Sequence, residues 1–516
     1  LLSQVTSHTM PMRIFKNKIF GVSVLPLLTS ALLILSYPRF DQGWLAWFAL
    51  APLTAAVWRS KDLKQALSAG LAAGFFFYAG ILYWIYPTMR AGGVVPLVSV
   101  FGLAALSLIM AAEFIIMAAF GFYLKRAGAA VWPYIFAVGW ALMECGKVYL
   151  SFKAVWFPWF MLGYTQWAYT PLIQIASLTG VYGLSAAVCF TGALAGTVVI
   201  SGASVRDRVM RFLPAPALVS LLLIYGLHEL KKADSAAATG SLSVALLQPS
   251  VDLYAKWDPA QAADIRADVE GLAAAARNAD LAVWPENALP CWIDDPECYA
   301  WLKTAAGRPA GGSVVGSVSK GDGRHVTAFL LDEKGGIEAS YNKRQLVPFG
   351  EYVPLRALLG RYIKPVASLG EFLPGAPVQA PLAFGKLKIG AAICYESVFP
   401  YLFTGDTLAG ADLFVNITND GWYLNTAAPY QHFIVNIFRA VENRRPVVRA
   451  ANNGISGVID PWGRVLAKTS LNERTVLTAT VRTYGARAFF PVYGRWLAWT
   501  ALLIVSAFLV HCKSSY

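Results

Sequence analysis

The sequence predicts two kinds of structure in one chain: an α-helical transmembrane bundle of about eight spans, and an α/β domain inserted ahead of the last span. Three observations carry this. The 516 residues are 57% hydrophobic and only 14% charged, with a mean hydropathy of +0.50, too apolar for a water-soluble chain of this length. Apolar runs of membrane-span character crowd residues 20–230. Between Ser241 and Tyr484, charges, turns and alternating strands replace them.

In chain order, residues 1–19 form a basic N-terminal segment, which opens on Leu1 and has Met10 and Met12 as other candidate starts. Residues 20–230 hold seven apolar stretches: Phe20–Tyr37, Gly43–Trp58, Ala66–Tyr86, Gly93–Leu124, Ala129–Tyr149, Pro171–Ile200 and Leu213–His228. A C-terminal helix at 493–511, centred on Trp496–Val510, supplies one more. A cleaved signal peptide is the alternative for the first stretch, but no A-x-A-like site follows it. Lys and Arg collect before the first stretch (Arg13, Lys16, Lys18) and after the second, fourth and sixth (Arg59, Lys61, Lys64; Lys125, Arg126; Arg206, Arg208, Arg211). The positive-inside rule puts those connections in the cytoplasm, so the domain at 241–484, after seven spans, faces outward. The same distribution accounts for the net charge of +13 by topology and lipid headgroups, and argues against a nucleic-acid partner.

Within 241–484, strands are expected at Leu242–Leu247, Leu281–Trp284, Ser313–Ser319, Ala328–Asp332, Lys388–Ile393, Leu413–Ile417, Pro446–Ala450 and Gly457–Ile459. Helical patterns at Pro259–Ala279 and Pro429–Asn443 alternate with them, which argues for α/β layers. Cys291 and Cys298 flank the loop IDDPE, where a disulfide and two free thiols are both open. The five histidines have no paired spacing, so no metal site is expected.

The chemistry concentrates in three segments. KIGAAICYESVFP is an apolar strand that stops on a lone thiol, Cys394. DLAVWPENALP stops on a carboxylate, Glu286, and YNKRQLVPFGEYVP carries Lys343 and Glu351 among Pro and Gly turns. Taken singly, a packing Cys, a capping Glu and a solvated loop Lys are the commoner roles. Together they supply what acyl transfer needs: a nucleophile, a base to take its proton, and a fixed cation for an oxyanion.

Glu286, Lys343 and Cys394, in that order at strand ends and in a loop, resemble the Glu-Lys-Cys constellation of the nitrilase superfamily. Together with NITNDGWY, RRPVVRAANNGIS and the membrane spans, the chain resembles the family of bacterial apolipoprotein N-acyltransferases over nearly its whole length. That resemblance implies a nitrilase-like αββα sandwich facing the periplasm from the inner membrane, without a cofactor, acting as a monomer. It implies a phospholipid as acyl donor and a diacylglyceryl apolipoprotein as acceptor, with sn-1 acyl transfer through a thioester on Cys394. Glu286 would be the base and Lys343 the oxyanion cation. Glu351 would orient both, and Tyr395 and Glu396 would line the pocket beside the thiol. Trp257, Trp422 and Tyr423 would be substrate-binding or lid residues, while Trp156 and Trp159 fit a headgroup belt better. Around Asn425 the chain departs from the family pattern, which concerns lid contacts rather than the Glu-Lys-Cys set. The rivals are a membrane-anchored amidase or an acyltransferase using another amine, and a non-enzymatic transporter or receptor, for which only Glu113 and Glu144 stand out within spans.

Overall fold

The computed structural model describes residues 24–151, 156–253, 256, 258, 260–306, 311–353 and 372–514. The described residues divide into two compact units, one within Leu1–Glu144, Ser185–Ser220 and Trp499–Tyr516, the other within Cys145–Leu184 and Leu221–Ala498.

The first unit is helical. Among the described residues of the whole chain, four helices are long and apolar enough to cross a bilayer: Pro96–Leu124, Val181–Ile200, Val205–Ser235 and Phe490–Val510. Leu63–Ile81 with Ile85–Ala91, bent by 46°, is a fifth if the pair is one span. Other expected spans take different forms. Gly43–Trp58 is broken into Gly43–Leu45, Ala46–Ala49 and Ala51–Arg59, with Pro52 opening the last piece. The stretch at Pro171–Ile200 is helical throughout only from Val181. Gly180, at φ +65°, ends the short helix before it, a conformation glycine adopts without steric cost. Length and apolarity alone therefore do not reach eight.

Close packing in this unit depends on small residues. A β-carbon at Gly70 would lie 2.6 Å from the Phe114 carbonyl oxygen, and one at Gly74 would lie 2.8 Å from Ala111 Cα. These glycines let Leu63–Ile81 approach Pro96–Leu124 backbone to backbone, the small-residue packing typical of membrane helices. The two carboxylates that stood out in the sequence have neutral donors: Tyr78 donates to Glu113 at 2.6 Å and Trp140 Nε1 to Glu144 at 3.0 Å.

The second unit contains two six-stranded sheets. The first runs β12 (Thr475–Tyr484), β1 (Ala238–Gln248), β2 (Leu281–Val283), β3 (Ser313–Ser319), β4 (His325–Leu331), β5 (Ile337–Asn342). The second runs β11 (Val465–Lys468), β10 (Gly457–Ile459), β9 (Val447–Ala451), β8 (Leu413–Thr418), β7 (Leu387–Ile393), β6 (Leu382–Phe384). β1, β2 and β3 pair in parallel, as do β7, β8 and β9. β2, β8 and β9 are buried along their whole length, as expected of parallel strands covered on both faces. The sheets pack face to face through β1 with β9 and β4 with β7. Helices Ala262–Ala275 and Pro296–Ala306 cover the first sheet, and Pro400–Leu408 and Ala428–Asn443 the second. This is the αββα layering that the resemblance implied.

Burial of Trp284, Leu302, Val315 and Leu331 against the first helix layer stabilises it by about 2 kcal/mol per side chain. Cys291 and Cys298 form a disulfide, which closes the loop between β2 and Pro296–Ala306 and resolves the alternative the sequence left open.

Polar side chains explain why Cys145–Leu184 packs with the sheets rather than with the helical unit. Gln174 Nε2 donates to the Trp462 carbonyl at 2.8 Å, and Glu442 accepts the Val181 N–H at 3.0 Å. Arg444 donates to both Gln174 and Glu229.

Candidate active site

Each reactive side chain sits where a strand ends. β7 is buried from Ile389 onward and stops at Cys394, whose φ of +52° puts a non-glycine residue in the left-handed region. That conformation costs about 1–2 kcal/mol and persists only where the surroundings hold it. Two bonds do so here: Glu396 accepts the Ile393 N–H at 2.7 Å, and His432 Nε2 donates to the Cys394 carbonyl at 3.1 Å. Beyond β2, Glu286 is followed by Asn287 at φ +49°, a second sharp turn that aims a carboxylate. β5 ends at Asn342 and delivers Lys343.

The structure brings Glu286, Lys343 and Glu351 into one network. Lys343 Nζ donates to Glu286 Oε1 at 3.0 Å and to Glu351 Oε1 at 2.5 Å. The remaining carboxylate oxygens are also used: Asn419 N–H donates to Glu286 at 3.0 Å and Val347 N–H to Glu351 at 2.8 Å. Burial works against the Lys343 charge, but Glu286, Glu351 and Cys394 outweigh it and hold the ammonium well above the usual lysine range. Burial, with the Glu286 charge, raises Glu351 against the pull of Lys343. Burial and Glu286 likewise push the Cys394 thiol up, while Lys343 and a hydrogen bond with the Thr418 side chain oppose them. The resting thiol is therefore protonated, with a carboxylate and a cation acting on it from within the same site.

Glu396 is fully buried and serves as a strut rather than a pocket wall. Its oxygens accept from Ile393 N, Tyr341 Oη, Arg344 N and Gln345 N, tying the Cys394 turn to the Lys343 loop. The Tyr395 ring stacks on Phe157 and Trp159, with centroids 5.7 and 6.2 Å away. Trp159 is itself buried against His432 and Tyr423, which places it in the site wall and not in a headgroup belt. Trp422 is half exposed and Tyr423 partly covered, next to that wall, and Trp257 lies outside the described residues.

Residues 29–194 match the family model described as Apolipoprotein N-acyltransferase N-terminal domain, and residues 243–489 match the one described as Carbon-nitrogen hydrolase. The chain is 38% identical over 513 residues to the apolipoprotein N-acyltransferase of Geobacter metallireducens, covering 95% of this chain and 96% of that one. The chain belongs to the apolipoprotein N-acyltransferase family. The family member from Azotobacter vinelandii is 32% identical over 92% of each chain. That from Rickettsia typhi is 31% identical over 83% of this chain and 86% of its own. Among solved structures, an amidase from Nesterenkonia sp. is 24% identical, covering 48% of this chain and 92% of the amidase, with a TM-score of 0.36.

Beyond the Glu-Lys-Cys set, this acyltransferase family member buries a second polar network that the sequence left without a role. Arg449 Nη2 donates to Asp420 Oδ2 at 2.8 Å, and Asp420 Oδ1 lies 2.8 Å from His432 Nδ1 and 3.1 Å from the Thr418 hydroxyl. Although burial opposes it, Arg449 and His432 hold the Asp420 carboxyl at about 2. Thr418 and Asp420 fall within the quoted motif NITNDGWY and Arg449 within RRPVVRAANNGIS, whereas His432 lies in neither, and only the fold brings the four together beneath Cys394.

Proposed function

We propose that Cys394 carries an acyl chain as a thioester between a phospholipid donor and an apolipoprotein acceptor. The observation that carries this reading is the Glu286–Lys343–Glu351 network in one site with a strand-end Cys394 thiol. Glu286 takes the thiol proton as Sγ attacks the sn-1 ester carbonyl. A C–S bond forms, and Lys343 with the Tyr395 N–H stabilises the oxyanion. Collapse breaks the ester C–O bond, and Glu286 returns the proton to the departing lysophospholipid oxygen. The α-amine of the diacylglyceryl N-terminal cysteine then attacks the thioester and yields its proton to Glu286. The C–N bond forms, the C–S bond breaks as Glu286 returns that proton to the departing Cys394 thiolate, and the product is a triacylated lipoprotein.

Glu351 orients Lys343 and Glu286 in this scheme, and Trp257, Trp422 and Tyr423 contact the lipid chains. In this reading the chain crosses the inner membrane eight times, with the catalytic domain, 241–484, on the periplasmic side. The Lys and Arg bias supports that placement, and so does the Cys291–Cys298 disulfide, which belongs to an oxidising compartment. Withdrawing an acyl chain into water costs about 0.8 kcal/mol per CH₂, so a lipid-using thiol belongs at a bilayer surface.

The acceptor is the part to test. The acyl-enzyme, once formed, is offered a diacylglyceryl-cysteinyl peptide, the same peptide without lipid, and hexylamine. Discharge by the lipidated peptide at a rate at least about 100-fold above the others supports the reading. Equal discharge by water or hexylamine points to an amidase or to an acyltransferase of other specificity.

A further inference from the structure

We infer that His432 is a positioning residue that aims the oxyanion donor: its Nε2–H grips the Cys394 carbonyl and so turns the Tyr395 N–H, at the other end of the same peptide plane, toward the acyl carbonyl under attack. The inference rests on the reading of Cys394 as acyl carrier.

A trans peptide holds its C=O and N–H antiparallel in one plane, so fixing one end sets the direction of the other. At the Cys394–Tyr395 peptide the two ends are treated differently. The carbonyl accepts from His432 Nε2 at 3.1 Å, whereas the Tyr395 N–H has no hydrogen-bond partner among the described residues. Tyr395 is buried, and an unpaired buried N–H is uncommon enough to need a reason. A substrate oxyanion is such a reason. The left-handed φ at Cys394 is what turns this plane out of the strand ladder, and a hydrogen bond at its carbonyl also polarises the amide and strengthens the N–H as a donor.

His432 is built to hold one orientation. Its ring is fully buried against Trp159, with centroids 4.9 Å apart, and edge-on to Tyr423 at 6.3 Å. Nδ1 lies 2.8 Å from Asp420 Oδ1 and 3.1 Å from Arg449 Nη2. Arg449 is fixed in turn by Asn416 and by the Ile455 carbonyl. A carbonyl only accepts, so Nε2 carries a proton in both the neutral and the charged ring. Nδ1 accepts from Arg449 in the first state and donates to Asp420 in the second.

The test separates oxyanion chemistry from thiol chemistry. Full-length wild type, H432F, H432L, H432Q and D420N are compared in two reactions. One is acylation of Cys394 by palmitoyl-oleoyl phosphatidylethanolamine in mixed micelles, which passes through an oxyanion. The other is alkylation by iodoacetamide, a displacement that forms none.

H432F and H432L are expected to acylate about 10²–10³-fold more slowly, with the lipid KM unchanged, and to alkylate within about twofold of wild type. In H432Q a side-chain N–H reaches the same carbonyl and restores acylation to within about tenfold of wild type. D420N loosens the ring without removing it and loses about tenfold in acylation alone, which keeps the test decisive if the apolar replacements do not fold. Wild-type acylation in H432F or D420N, or a parallel loss of alkylation, overturns the inference. A wild-type protein that never acylates sinks the acyl-carrier reading instead, and this inference with it.

Discussion

A buried thiol that sits above its ordinary pKa is a poor nucleophile until something takes its proton, and in the proposed mechanism that group is Glu286. Two expectations follow at Cys394. Iodoacetamide alkylation should rise with pH from about 7 to 9, since burial and the Glu286 charge keep the thiolate scarce near neutrality; a plateau below about pH 8 would contradict the raised thiol. Glu286→Gln should slow acyl-thioester formation by about 10²–10⁴-fold, read as the initial rate of adduct growth. The three candidate residues stood out in the sequence because each closes an apolar run or stands among turn-forming Pro and Gly. His432 was not. It lies in mid-helix within Ala428–Asn443, where nearly every residue is buried, so neither polarity nor period marks it out.

The Cys394 turn and the Lys343 loop act as one element because Glu396 joins them. Glu396→Ala would leave the Ile393, Arg344 and Gln345 N–H groups unpaired, and should destabilise the second unit by about 3 kcal/mol, measured as a fall in thermal midpoint together with lost acylation. Asp420 makes the same fold pH-dependent. Its carboxyl is held at about 2 against an ordinary 3.8, so its stabilisation, about 2 kcal/mol, is complete above about pH 4 and fades as pH falls toward 2. D420N should flatten the acid limb of a stability curve over that window.

The strands missed by the sequence have physical reasons of their own. β6 is three residues long, and β5, β11 and β12 are mostly exposed or only partly buried, so none presents an apolar run. The eight strands of the two sheet interiors and their flanks were readable from their apolar residues. The expected headgroup role of Trp159 failed for the opposite reason: an amphipathic aromatic reads alike at a lipid interface and in a site wall.

Across the whole molecule, the proposed orientation separates two exposed positions. Val378, in the sheet-bearing unit, and Val205, between the sixth and seventh apolar stretches, are both open to reagent. In spheroplasts a membrane-impermeant maleimide should label Val378→Cys and spare Val205→Cys until the membrane is breached; the reverse pattern would invert the topology. The separation into helical and α/β regions was legible from texture alone. The packing of Cys145–Leu184 with the sheets was not, because it rests on Gln174, Glu442 and Arg444 meeting across long sequence distances.

The most direct test of the acyl-carrier mechanism is the intact mass of the purified protein after incubation with a defined phospholipid, with Cys394→Ala in parallel. The mechanism predicts a hydroxylamine-labile mass increase of one acyl chain on the wild type alone. An equal adduct on Cys394→Ala, or no adduct on either, would contradict it.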